Sequence, residues 1–231
     1  MLLEPRSPAL FLYGQTWFES LRHEVKNQLV NEMTLLKGNK GDTLLPYGSP
    51  ADGWYAVLSG MIKIQSAAPD GRLSAFAGLP AGEWFGEGST LKAEPRRYDV
   101  IALRDTTLLC MPLARFNELR QQSLAFNQFL VSHLNRRLGQ AMAIIEAGRL
   151  KSPEERVALY LSNLFWPATR KLNLSQEELG ILAGLSRQTV NKVLKSFEAR
   201  GWVSLEFGRV TILDEEGLSA LLRPRCDALP I

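Results

Sequence analysis

The chain has 231 residues, 45% hydrophobic and 22% charged, with a formal net charge of +3. That balance is ordinary for a globular protein, and no apolar run approaches the roughly 20 residues a membrane helix needs. The mild positive charge permits nucleic-acid binding without requiring it.

The opening stretch, "MLLEPRSPALFLYG", places Glu4, Pro5 and Pro8 where a signal peptide would carry positive charge and an unbroken apolar core. A cytoplasmic protein with no membrane partner is therefore expected. "TWFESLRHEVKNQLVNEM" (16–33) reads as an amphipathic helix. From about residue 32 to 113 the texture is that of a β-domain: ten of the eighteen glycines fall between Gly38 and Gly88. Short runs such as "WYAVLSG", "MIKIQS" and "LSAFAGL" have period-2 character and are broken by "GSPADG", "APDG" and "PAGE". Such spacing predicts an antiparallel sandwich or barrel. Near its end, "FGEGSTLKAEPRRYDV" (85–100) sets a Gly-Glu pair and two adjacent arginines around a short loop. A turn, a carboxylate and a guanidinium so close together could cradle a sugar phosphate, or could be an ordinary turn.

After Pro112 there is no proline until Pro153. Val131, Leu134, Leu138, Ala141, Ile145 and Gly148 step by threes and fours, which is a heptad seam. A long helix with a narrow seam between two domains predicts a dimer axis; the alternative is packing on its own domain. "KSPEERVALYLSNLF" then opens a third part, with Ser152 as N-cap, Pro153 at the first helical position and Glu155 completing a capping box. Ser152 and Pro153 also mark a candidate hinge.

"LSQEELGILAGLSRQTVNKVLKSFEARGWV" (174–203) carries the most information. Ser175 caps a short helix with Glu178 at the capping-box position, and Gly184 suits a left-handed turn. Ser186 caps the next helix, on which Val190, Val193, Leu194 and Phe197 face inward. The other face shows Arg187, Gln188, Asn191, Lys192 and Lys195, which makes this a helix-turn-helix with its chemistry facing outward. Arginine can bond two acceptors on a guanine edge, and Gln or Asn two groups on adenine. Ser186 and Thr189, at the helix start, can reach phosphate oxygens beside free N–H groups; Ser175, heading the first helix, is grouped with them. "GWVSLEFGRVTIL" follows as two strands around a Phe-Gly turn, a small wing. Glu177 and Glu178 keep the surface from being uniformly basic, so specificity must come from positioned side chains.

Cys110 and Cys226 lie too far apart in sequence for a disulfide framework or a zinc site. An iron–sulfur cluster, which needs about four cysteines, is excluded within one chain. His23 and His133 carry no pattern that would support a metal or haem. No nucleotide loop, nucleophile elbow or His-Asp arrangement points to an enzyme. The tail "RPRCDALPI" matches nothing assignable.

A β-domain, a heptad helix and a winged helix-turn-helix, in that order from about Trp17 to Leu222, resemble the CRP/FNR family of bacterial transcription regulators. "GDTLLPYGSPADGWYAVLSGMIKI", "AGEWFGEGS" and "LSRQTVNKVLKSFEARGWV" are similar to that family's opening strands, pocket turn and recognition helix. The resemblance implies an α+β protein: a cyclic-nucleotide-binding-like β-roll or jelly-roll sensor domain (1–113), a long dimerisation helix and hinge (114–151), and a winged helix-turn-helix (152–231). It implies a homodimer on a palindromic operator in double-stranded DNA, contact with RNA polymerase, and an effector or protein contact at the β-roll. The alternative is a cyclic-nucleotide-responsive module serving a partner protein, which would predict an attached kinase, cyclase or membrane segment.

Residue by residue, Arg187 matches the family's guanine-reading arginine, while Gln188 stands where a glutamate is usual and Lys192 where cyclic-AMP-binding members have arginine. The operator's inner half-site bases are therefore expected to differ. In those members a Gly-Glu turn meets the ribose, and Gly86 and Glu87 match it. An Arg-Ser pair holds the cyclic phosphate; here Arg96 takes the arginine position and Arg97 replaces the serine, or, one residue on, Arg97 is followed by Tyr98. A Thr-Ser pair on the long helix touches adenine; here those positions are Ala141 and Met142. Each unmade buried hydrogen bond costs about 1–3 kcal/mol. Cyclic AMP is thus not the expected effector, and another anionic or aromatic ligand, or none, stays open.

Overall fold

The computed structural model describes residues 7–67, 73–166 and 170–222. The "APDG" turn, Cys226 and the rest of the C-terminal tail lie outside the described residues. The chain divides into two compact units, Met1–Asn135 and Arg136–Ile231, with the boundary inside one long helix.

The first unit opens with α1 (Pro8–Tyr13), α2 (Thr16–Glu19) and α3 (His23–Glu32). The single helix expected over 16–33 is thus two. Trp17 and Phe18, adjacent in sequence, are both fully buried, and the chain reverses just beyond them. The Ser20 hydroxyl donates to the Trp17 carbonyl at 2.7 Å, Arg22 is extended (φ −63°, ψ 148°), and the Lys26 ammonium donates to the Glu19 carbonyl at 2.8 Å. These bonds satisfy carbonyls that a continuous helix would have paired internally.

Among the described residues, eight strands follow: β1 (Thr34–Gly38), β2 (Thr43–Leu45), β3 (Gly53–Ser59), β4 (Met61–Ala67), β5 (Leu73–Pro80), β6 (Trp84–Phe85), β7 (Asp99–Ala102) and β8 (Thr106–Pro112). They form two four-stranded sheets, in the orders β1-β8-β3-β6 and β2-β7-β4-β5, with every pair antiparallel. A short helix, α4 (Glu87–Lys92), lies between β6 and β7.

Strand β3 is buried on both faces. Trp54, Ala56 and Leu58 point into an aromatic cluster with Trp17, Phe18, Trp84, Phe116 and Phe126. Tyr55 and Val57 point the other way, among Phe85, Val100, Leu108 and Cys110. One sheet is therefore sandwiched between helices and the second sheet, and "WYAVL" is continuously apolar because both of its faces are covered. Trp54 stacks on Trp84 with ring centroids 4.3 Å apart.

After β8, the stretch expected as one long helix holds two: α5 (Leu113–Gln122) and α6 (Leu124–Leu150). Ser123 separates them in an extended conformation, and its hydroxyl accepts from Phe126 N at 3.2 Å. The Asn127 amide donates to the carbonyls of Arg120 (2.7 Å) and Ser123 (3.0 Å) at the break. Arg115 ties α5 back to the end of α3 through Glu32, whose carboxyl it holds below the usual range chiefly by hydrogen bonding.

The second unit contains the rest of α6, then α7 (Pro153–Leu161), β9 (Lys171–Leu172), α8 (Gln176–Ala183), α9 (Arg187–Ala199), β10 (Val203–Glu206), β11 (Arg209–Ile212) and α10 (Glu215–Ala220). The capping box at Ser152 forms as read from sequence: Ser152 N donates to Glu155 Oε2 at 2.7 Å, and Glu155 N to Ser152 Oγ at 3.3 Å. Arg156 reaches back to the last turn of α6, donating to the carbonyls of Ala147 (3.1 Å) and Gly148 (3.0 Å). Together these bonds cap the end of α6 and the start of α7. The expected α+β order of N-terminal sheets, long helix and C-terminal helix-turn-helix is the one observed. Among the described residues no helix is long and apolar enough to cross a membrane.

Trp54→Ala would remove the ring at the centre of the aromatic cluster. It is expected to cost about 3–5 kcal/mol, read as a lower urea midpoint in equilibrium unfolding of the first unit's tryptophan signal.

Candidate nucleic-acid interface and ligand pocket

In the second unit, α8 and α9 form the helix-turn-helix. Ser175 Oγ accepts from Glu178 N at 3.2 Å, and Glu178 Oε2 accepts from Ser175 N at 2.7 Å. Gly184 ends α8 in the left-handed region (φ 65°, ψ 37°), where a side chain would be strained. Leu185 N donates to Gly180 O at 2.9 Å, and a Cβ on Gly180 would sit 2.8 Å from the Leu185 carbonyl oxygen. The turn thus presses directly on α8, which sets where α9 begins.

Ser186 caps α9 by accepting from Thr189 N at 3.1 Å, and its hydroxyl also lies 2.9 Å from that of Thr189. Val190, Val193, Leu194 and Phe197 are buried. Arg187, Gln188 and Lys192 are exposed and Asn191 is half-buried, so α9 presents these four side chains across its first two turns. Planar amide and guanidinium groups projecting from a helix beside its free N–H groups suit base edges and flanking phosphates. Ser175 and Ser186 both act as caps through their hydroxyl oxygens.

The wing is a hairpin of β10 and β11 around Phe207-Gly208, with Glu206 paired to Arg209. The structure adds β9 to its far side, giving a sheet in the order β10-β11-β9. Arg209 Nε donates to Asn173 Oδ1 at 3.1 Å, tying the wing to the approach of α8. Glu198, near the end of α9, accepts from Leu205 N at 3.1 Å and ties the helix to the wing. Neither β9, at two residues, nor these ties had a local sequence signal.

In the first unit, Gly86 caps α4 with φ 88°, and a Cβ there would lie 3.3 Å from Arg96 Nη1. The structure therefore brings the Gly-Glu turn and Arg96 together. Arg96 is 2% exposed; its Nη2 donates to Asp52 Oδ1 at 3.0 Å, and its guanidinium lies 4.9 Å from the centre of the Tyr55 ring. The Tyr55 hydroxyl donates to the same carboxylate at 3.1 Å. Burial, with Cys110 and Asp52 beside it, pushes the Tyr55 phenol well above its ordinary range, so it stays a proton donor. Burial likewise raises the Cys110 thiol. Arg97, by contrast, is 72% exposed and pairs with Glu94 at 2.8 Å on the surface. Of the two arginines, Arg96 is the one directed inward.

Glu87 faces His133 on α6, at 3.5 Å from Nε2. His133 is buried against Trp54 and Phe129. His23 is on the surface of α3, 3.1 Å from the Asn27 amide. Among the described residues, no group of three or more His, Cys, Asp or Glu side chains is placed to hold a metal ion. Ala141 and Met142 lie on the part of α6 that belongs to the second unit, and both are exposed. Val131, Leu134, Leu138 and Ile145 are 65%, 36%, 61% and 50% exposed, an uncovered apolar stripe along α6. Asp52 and Tyr55 were not singled out from sequence. Asp52 sits in a turn-rich stretch, and only the fold brings it to a residue 44 positions away.

A β-domain with an arginine beside a glycine turn, followed by a helix-turn-helix, has the architecture of a DNA-binding regulator. Residues 26–123 match the cyclic nucleotide-binding domain family, and residues 155–221 match the Crp-like helix-turn-helix domain. The chain is 30% identical over 192 residues to a CRP-like cAMP-activated global transcriptional regulator of Mycobacterium tuberculosis, covering 80% of this chain and 86% of that one. It is also 30% identical over 192 residues to the transcriptional activator protein anr of Pseudomonas aeruginosa, covering 79% and 78%. The structure of FixK2 from Bradyrhizobium japonicum superposes with a TM-score of 0.70, at 20% identity, over 82% of this chain and 96% of that one. The chain belongs to the CRP/FNR family of bacterial transcription regulators.

Gly180→Ala gains helix propensity but forces a methyl against the Leu185 carbonyl. The contact is expected to win, costing about 1–3 kcal/mol in thermal unfolding of the second unit.

Proposed function

We propose that this chain is a cytoplasmic, sequence-specific transcription regulator acting as a homodimer on a palindromic operator. The observation that carries the reading is α9, capped at Ser186, with one face buried and Arg187, Gln188, Asn191 and Lys192 on the other. In this reading Arg187 reads a guanine, Gln188 and Asn191 read bases nearer the dyad, and Lys192 supplies a point charge. Ser175, Ser186 and Thr189 hold phosphates. The stripe Val131, Leu134, Leu138, Ala141 and Ile145 is the dimer seam, which explains why its large side chains stand in solvent in one chain. The working parts are the sensor domain (1–113), the dimerisation helix and hinge (114–151) and the DNA-binding domain (152–231), with RNA polymerase as a further partner.

The β-roll is gated by an effector or protein contact other than cyclic AMP. Gly86, Glu87 and Arg96 keep the frame of a sugar-phosphate site, but Arg97 turns to the surface, and Ala141 and Met142 offer adenine no hydroxyl. An iron–sulfur cluster is not part of this reading, since the chain has two cysteines, and haem is not the expected cofactor, with His133 packed among aromatic rings.

Selection of binding sites from a random DNA pool, with and without cyclic AMP, tests both parts. A palindrome recovered equally well in both arms is expected. Recovery only with the nucleotide would reverse the effector reading, and no retarded band at low salt with any sequence would remove the DNA reading. Against the selected site, Arg187→Ala should cost about 1–3 kcal/mol and relax one base position in gel-shift titrations. Leu138→Glu should convert the dimer to a monomer in analytical ultracentrifugation and weaken operator binding with it.

A further inference from the structure

Arg96 can hardly move. Its backbone N–H donates to Ser49 O at 2.9 Å and its carbonyl accepts from Gly48 N at 2.8 Å, so it is zipped to the loop between β2 and β3. Asp52 comes from that same loop. Its backbone carbonyl accepts from Leu113 N at 3.0 Å, and its carboxylate receives Arg96 Nη2 and the Tyr55 hydroxyl. A carboxylate and a phosphate offer a guanidinium the same kind of paired oxygens. The two partners differ in freedom: the Arg96 side chain is 1% exposed, whereas that of Asp52 is 64% exposed and can swing into water. Arg96 Nη1 is buried without a hydrogen-bond partner, next to the open backbone of Gly86. Such an orphaned donor calls for an explanation. A one-oxygen contact from Asp52 leaves free the second prong that a bidentate anion would take.

We propose that Asp52 is the built-in occupant of the Arg96 seat, a tethered carboxylate that competes with anionic ligands and so sets what the β-roll accepts. Phosphate esters are discriminated against unless Asp52 leaves. This rests on the reading of the β-roll as an effector domain. The competition is strong because a tethered group acts at an effective concentration of about a millimolar or more. A free anion must exceed that advantage, while a protein or ligand group that draws Asp52 outward would open the seat.

Isothermal titration of inorganic phosphate, and then of cyclic AMP, into the wild-type chain, Asp52→Asn and Tyr55→Phe tests the assignment. Asn keeps the shape and one acceptor but removes the charge. Phe keeps the ring over Arg96 but removes the donor that steadies the carboxylate. Phosphate is expected to bind Asp52→Asn about tenfold tighter than wild type. Tyr55→Phe should show a smaller gain, about threefold. The gain in Asp52→Asn should vanish on adding Arg96→Gln. Equal affinity in the folded variants and wild type, or tighter binding by wild type, overturns the proposal; if Asp52→Asn does not fold, Tyr55→Phe decides alone. Gel retardation of the selected operator by the same proteins separates this outcome from the parent reading. Tighter phosphate binding by a chain that retards no DNA would leave the seat assignment standing and remove the regulator reading.

Discussion

The first unit depends on one constraint, the burial of β3 on both faces. A strand covered on one side would leave either the helices or the second sheet without a floor. With Trp54 and Tyr55 on opposite faces, the same seven-residue strand anchors two cores. The helical face is filled by large rings, among them Trp17, Trp54, Trp84, Phe116 and Phe126. The sheet-on-sheet face is filled mainly by smaller aliphatic side chains, and there Tyr55 keeps its hydroxyl at the edge, where Asp52 can receive it. The polar cluster of Arg96, Asp52 and Tyr55 therefore exists at the margin of a core, close enough to be desolvated and open enough for one member to leave.

In the second unit a close contact between backbones sets the helix-turn-helix. Gly180 lets the Leu185 carbonyl approach α8, and the turn at Gly184 then leads into α9 with its apolar stripe already directed inward. Arg209 and Glu198 brace the wing against the segment before α8 and against the end of α9. The polar face of α9 is thus held by a frame whose own hydrogen bonds are made elsewhere, which leaves Arg187 and Lys192 free to meet a partner. A site presented this way loses little side-chain freedom beyond the contacting residues themselves.

What the sequence made legible was local. Capping boxes at Ser152 and Ser175, the cap at Ser186, the glycine turn and the inward stripe of α9 all follow rules that act within four residues, and all appear in the structure. The family resemblance left Arg96 and Arg97 as alternatives, and only the fold shows that Arg96 is the inward one. Elements set by distant contacts were not readable. The break at Ser20–Arg22 exists because Trp17 and Phe18 must both enter the core, and the break at Ser123 because α5 packs on the β-domain before α6 departs. Asp52 was invisible as a site residue for the same reason: nothing near it in sequence names Arg96 as its partner.

The two-faced strand also makes neighbours of things that seem remote. Trp54 touches His133, which faces Glu87 from the first third of α6, while Tyr55, one peptide bond away, touches the Arg96 cluster. Between them β3 is hydrogen-bonded to β8 along nearly its whole length and to β6 at its centre. The strand thus joins the polar cluster on one face to the root of the long helix on the other.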